Sequence, residues 1–153
     1  MNQAAMKIIT IEGMEQQLAA LEDAKLVFDV VRRKQVAATP EEKVRQVILH
    51  YLVEGKKFPR GLLGVEASLR VNRLMKRCDI VVYKGDQPVM IVECKSPAVK
   101  LSQAAFDQAA RYNLALQVPY LLVTNGRVAL CSKVDYQRGS FEFLEEVPEY
   151  TKL

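Results

Sequence analysis

The sequence predicts an α/β fold with a central mixed β-sheet flanked by helices. Two stretches, 40–53 and 101–116, repeat apolar residues at spacings of three and four, the helical period. Five stretches, 65–71, 78–83, 88–94, 120–124 and 128–132, alternate or run apolar throughout, as strands do. The resulting order, helix, three strands, helix, two strands, is that of a sheet covered on both faces.

In chain order, Met14 to Ala24 is rich in helix formers, and Lys25 to Val31 is expected as a strand because Leu26, Phe28 and Val30 alternate. Thr39-Pro40-Glu41-Glu42 starts the first long helix, with Thr39 as N-cap, Pro40 at the first helical position and a glutamate at the third to close a capping box. Gly55 to Gly64 reads as a loop. Lys84-Gly85-Asp86-Gln87 is turn chemistry for a hairpin joining the strands over 78–83 and 88–94. Asn125-Gly126 marks a second tight turn, and the tail after Ser140 is expected to add a strand before fraying. The domain plan is one unit over 1–153, with an N-terminal extension over 1–27, a core over 28–133 and a C-terminal tail over 134–153.

Composition excludes several functions. A chain of 153 residues leaves no room for a helicase motor beside this domain. Three scattered cysteines argue against a disulfide framework and for a cytoplasmic setting, and one histidine leaves zinc sites and Ser-His-Asp chemistry without their ligands. No apolar run reaches the length of a membrane span, and Gly61-Leu62-Leu63-Gly64 lacks the P-loop spacing. The net charge of +4 is mild, but from Glu54 to Arg77 seven cations face two acids, and Arg73, Lys76 and Arg77 lead into Asp79. A solvated charged loop is the default reading of that run; a phosphate-contacting surface competes with it.

The chemistry-bearing set lies at the ends of two apolar strands. Asp79 opens one; Glu93 and Lys95, two apart and so on one face, close the other. If Lys84 faces Pro88, facing residue numbers sum to about 172 and Asp79 lies opposite Glu93. Charge at such positions costs solvation free energy unless it finds partners. Two facing carboxylates repel, and a hard divalent cation such as Mg²⁺ resolves the repulsion with oxygen ligands, polarises a phosphate and generates hydroxide. That is the requirement of metal-assisted phosphodiester hydrolysis.

Asp79 followed at a hairpin's distance by Glu93-Cys94-Lys95 resembles the PD-(D/E)XK nuclease signature, with Cys78 where that signature carries proline. Gln108-Ala109-Ala110-Arg111-Tyr112 resembles the Gln-x-x-x-Tyr element of its RecB-like and type I restriction branches. The stretch from Thr39 to Gln46 is similar to the opening helix of the N-terminal nuclease domain of type I restriction enzyme R subunits, and 28–133 fits that domain in order. The resemblance implies a restriction-endonuclease-like core, cleavage of DNA with Mg²⁺ (or Mn²⁺ in its place), Asp79, Glu93 and the Cys94 backbone carbonyl as metal ligands, and Lys95 as the catalytic lysine. It also implies a glutamate from the first helix, Glu41 or Glu42; with Val44, Val47, Ile48 and Tyr51 inward, Glu41 lies nearer that face and is preferred. Gln108 and Tyr112 would position DNA or support the site; core packing is the competing role for Tyr112. A separate targeting or motor protein, or self-association, would supply what the chain lacks. The rival reading is a nucleic-acid-binding or assembly module with little catalysis.

Overall fold

The computed structural model describes residues 5–153. Its centre is a six-stranded mixed sheet in the spatial order β3 (Leu63–Val71), β4 (Leu74–Lys84), β5 (Gln87–Cys94), β6 (Tyr120–Thr124), β7 (Ala129–Asp135) and β8 (Ser140–Phe143). Only β5 and β6 run parallel, because α3 (Gln103–Leu114) carries the chain between them; the other neighbours are antiparallel. On one face, α1 (Met14–Ala20) and α2 (Pro40–His50) bury Met14, Val44, Ile48 and Leu49 against Ile80, Val82, Met90 and Val92. On the other, Phe106 and Ala109 of α3 pack on Val81, Ile91 and Val123. This is the expected α/β layering, compatible with a restriction-endonuclease-like core.

Local chemistry explains most element ends. Thr39 Oγ1 accepts the Glu42 N–H at 3.1 Å and Ser102 Oγ accepts the Ala105 N–H at 3.1 Å, each satisfying an orphan donor of its helix. The capping box at α2 is only half built, since the Thr39 N–H donates to the Ala37 carbonyl and the Glu42 carboxylate is engaged elsewhere. Beyond His50, α2 continues as a π-helical turn over Tyr51–Gly55. At the β6–β7 connection, Gly126 combines φ 84° with a backbone so close to Leu18 and Val44 that a Cβ would meet each at 3.1 Å. The chain after Ser140 forms β8 and then packs down rather than fraying, with Val147 fully buried.

The hairpin that sets the site reaches the expected register by an unexpected route. Lys84 faces Gln87, not Pro88, across a two-residue turn in which Gly85 has φ 63°. An irregularity between Val82 and Tyr83 then restores the offset, so Ile80 faces Val92 and Val82 faces Met90, the sum of 172. A second irregularity was not foreseen. Leu63 and Val65 belong to the α1–α2 core while Ala67 and Leu69 belong to the α3 core; on β4, Ile80 and Val82 belong to the first and Cys78 to the second. Both strands therefore change sides where Glu66, at φ 52°, and Asp79 sit.

The N-terminal region departs most from expectation. The strand over 25–31 is β1 (Leu26–Asp29), paired with an unforeseen β2 (Lys34–Ala37) in a separate hairpin. Its facing is inverted: Leu26 and Phe28 are exposed while Asp29 is fully buried. Among the described residues no helix is long and apolar enough to cross a membrane.

Candidate active site

Asp79 enters the site from β4 and Glu93 from the end of β5, with Lys95 two residues beyond. Asp79 Oδ2 accepts the Cys94 N–H at 2.7 Å, which ties the two strand ends together where the backbone ladder stops. Asp79, Glu93 and Lys95 are all part-exposed. Burial, then the neighbouring Asp79 charge, pushes the Glu93 carboxyl above its ordinary value, against the opposing pull of Asn113 and of Lys95 and Lys76. Asp79 and Glu93 thus lie close together at the strand ends, one step beyond the last paired residues Ile80 and Val92, with Lys95 near enough to act on Glu93 electrostatically.

Whether these groups suit a metal ion depends on the donor set. Two carboxylates that repel each other, beside a strand-end backbone, offer the hard oxygen ligands that Mg²⁺ prefers, leaving room for its retained waters. Burial holds the Cys94 thiol well above its ordinary pKa, so its sulfur supplies no anionic ligand and only its backbone carbonyl is a candidate. No group of three or more His, Cys, Asp and Glu side chains able to hold a metal is assembled among the described residues. The donors at hand, two carboxylates and a backbone carbonyl, are of the hard kind that Mg²⁺ takes rather than the thiolate and imidazole set of a structural zinc site.

Of the two glutamates at the start of α2, the one turned inward is Glu42 and not Glu41, the reverse of the expectation from the helical wheel. Glu41 is exposed, whereas Glu42 is buried and lies in an ionic network reaching Asp79. Arg45, 7% exposed, donates from Nε to Glu42 Oε2 at 2.8 Å and from Nη2 to Glu66 Oε1 at 3.1 Å, and its Nη1 stands 3.8 Å from Asp79 Oδ1. Arg32 bridges Asp29 at 2.8 Å and Glu42 at 2.7 Å, and Gln46 donates to Asp29 at 2.8 Å. Burial alone would raise the carboxyl pKa values of Asp29 and Glu42, but these hydrogen bonds outweigh it and hold both below their ordinary values. A 100° wheel centred on apolar residues favours Glu41 because it ignores that a buried face can be ionic.

On the α3 side, Gln108 is exposed, and Tyr112 is 58% exposed, which excludes core packing for its ring. That ring covers the ammonium of Lys76, 2.7 Å from its centroid. Lys76 is itself buried, its Nζ without a hydrogen-bond partner, so it is no part of the exposed basic surface that Arg73 and Arg77 form. The α3 residue that touches the acids is Asn113, whose Nδ2 lies 3.4 Å from Glu93 Oε1 and 2.8 Å from the Ala109 carbonyl. Its signal in the sequence is a polar side chain on the inward stripe Phe106, Ala109, Asn113. Glu42 is one of the two first-helix acids that the sequence offers; Asp29, Arg32, Arg45 and Glu66 carry no comparable signal, because the contacts that join them into one network run between separate elements.

A cavity of about 470 Å³ opens between α1, the start of α2 and the loops at Pro97 and Arg127, but Asp79, Glu93 and Lys95 do not line it. The acids instead sit part-exposed at the sheet end, an arrangement that suits a polymer better than an enclosed small molecule. Because the charged form of Glu93 is the disfavoured one in the fold, its cost is present at neutral pH and disappears as pH falls below the unfolded carboxyl value. Glu93→Gln in metal-free buffer at pH 7 is therefore expected to stabilise the fold, read as a rise in Tm that vanishes in acid; a fall in Tm at pH 7 would contradict the repulsion.

Comparison with protein families finds that the model described as type I restriction enzyme R protein N terminus matches residues 40–148, well over half of the chain. No curated protein and no solved structure matches.

Proposed function

The chain belongs to the family of type I restriction enzyme R-protein N-terminal domains, and from that premise we propose that it is a metal-dependent nuclease domain of the PD-(D/E)XK kind that hydrolyses DNA phosphodiester bonds. The observation that carries the reading is the approach of Asp79 and Glu93 at the ends of adjacent central strands, tied by the Cys94 N–H to Asp79 Oδ2 bond, with Lys95 two residues beyond Glu93. Asp79, Glu93 and the Cys94 carbonyl would hold Mg²⁺, with Mn²⁺ as a substitute. When bound, the ion supplies Lewis-acid polarisation of the phosphate and a lowered water pKa.

The chain's own groups do the positioning. Lys95 presents an ammonium beside Glu93, where it orients the attacking water and steadies charge developing on the phosphate. Arg45, held by Glu42 and Glu66, fixes the side of Asp79 that faces α2. Asn113 restrains the Glu93 carboxylate from α3. As part of a type I R subunit, the domain would meet DNA together with other subunits, which supply translocation and targeting; self-association is a further route to a paired cut.

The test uses supercoiled plasmid with the purified chain. Mg²⁺ or Mn²⁺ is expected to yield nicked circles, and chelation to stop the reaction. Plasmid left intact with either ion, while the chain still binds DNA in a salt-dependent way, would replace the nuclease reading with the binding-module one.

A further inference from the structure

The structure builds a candidate recognition element from the basic run that precedes Asp79. Residues 74–77, read as part of a charged loop, are the start of β4, and they pair with β3 out to a tight turn at Asn72-Arg73. Pairing between β4 and β5 begins only at Ile80. From Cys78 to the turn, β3 and β4 therefore form a two-stranded ribbon that runs past the end of β5, starting beside Asp79. One face of the ribbon, Ala67, Leu69, Val71 and Cys78, packs on the α3 core. The other presents Ser68 opposite Arg77 and Arg70 opposite Met75, all exposed, with Arg73 exposed at the tip. Met75 is 56% exposed between these cations; Arg77 is paired with Glu66 at the base of the ribbon, whereas residues 67–78 contain no acid and Arg70 and Arg73 make no ion pair among the described residues.

We propose that this ribbon is a duplex-binding arm that lies in the major groove with its Arg70, Met75 and Arg77 face against the DNA and Arg73 at its leading end. The proposal rests on the nuclease reading above and names how its substrate is held. A two-stranded ribbon is a shape the major groove admits, and exposed arginines match both phosphates and guanine edges through their forked donors. An exposed methionine among them supplies apolar contact of the kind thymine methyl groups accept. Single-strand binding relies on aromatic stacking platforms, and residues 63–78 contain no aromatic side chain. Arg73 is six residues from Asp79, about 20 Å at the rise of a strand, which is about six base steps along a duplex. The arm would thus fix the duplex about half a turn to one side of the scissile bond.

Binding is measured in EDTA, where no cleavage occurs, by fluorescence anisotropy of a 25-base-pair duplex and of the same single strand over a salt series. The full wild-type chain is compared with the Arg70→Ala/Arg73→Ala double variant. The expected result is preference for duplex, about tenfold weaker duplex binding in the variant, and a log K against log salt slope smaller by about two, with Tm unchanged. Unchanged duplex affinity and slope in the variant would overturn the arm, as would a wild type that binds the single strand more tightly or binds no DNA. Plasmid nicking, read separately, reports on the nuclease reading whichever way the arm is decided.

Discussion

Lys95→Ala is expected to reduce metal-dependent plasmid cleavage by at least about a hundredfold, the scale of losing one preorganised electrostatic or proton-handling group at a reacting centre. The side chain is part-exposed and its backbone N–H, not its ammonium, makes the structural bond, to the Thr124 carbonyl at 2.8 Å. Removing the ammonium should therefore leave the fold and the ribbon intact, with Tm and duplex affinity in EDTA close to wild type. That separation gives the experiment its force, because a merely structural lysine would move Tm and activity together. Cleavage that persists unchanged in Lys95→Ala would remove this residue from the reaction and with it the PD-(D/E)XK assignment.

Arg45→Met should produce the largest loss of stability of any single substitution considered. Arg45 holds Glu42 through two hydrogen bonds and reaches Glu66 and Asp79 from a position 7% exposed. Methionine fills similar volume but leaves Glu42 a buried carboxylate with only Arg32 and Gln46 as partners. Breaking a buried pair from one side costs about 3–5 kcal/mol, and the remaining partners place this case toward the lower end. At about 2–4 °C per kcal/mol for a chain of this size, Tm should fall by about ten degrees. The effect depends on pH in a defined direction. Asp29 and Glu42 sit below their ordinary values of 3.8 and 4.5, so the network's contribution is complete above those values and is lost as pH falls through the lower folded ones. The gap between wild type and Arg45→Met should accordingly be full at pH 7 and shrink in acid. A shift of less than about two degrees at pH 7 would show that the network contributes little to the fold.

Particular residues show how far local pattern carries. The closeness of Asp79 and Glu93 at neighbouring strand ends follows from two apolar runs and one turn, because strand periodicity and antiparallel pairing are nearly geometric rules. Even there the turn is one residue shorter than its sequence suggests, and an irregularity between Val82 and Tyr83 compensates. Glu42 occupies the capping-box position, yet its carboxylate serves Arg45 and Arg32 instead, since one buried and one part-buried guanidinium outcompete one backbone N–H. The alternation of Leu26, Phe28 and Val30 pointed the wrong face inward, because Asp29 is drawn in by Arg32 and Gln46. Lys76 shows the converse. It belonged to a basic run by sequence, but strand parity turns it under Tyr112 while Arg70, Met75 and Arg77 face out.

By itself, then, the sequence determined the layered α/β plan, the two carboxylates and the lysine at the strand ends, and the helix that covers them. Each of these depends on contacts within a strand, a helix or one hairpin, where periodicity and turn chemistry suffice. Only the tertiary structure decided which first-helix glutamate is buried, that Asn113 restrains Glu93, that an arginine-centred network joins the β1–β2 hairpin to Asp79, and that a basic stretch is a ribbon rather than a loop. Those features pair charges from elements far apart in the chain. The desolvation that makes such pairing decisive arises only once the elements have packed together.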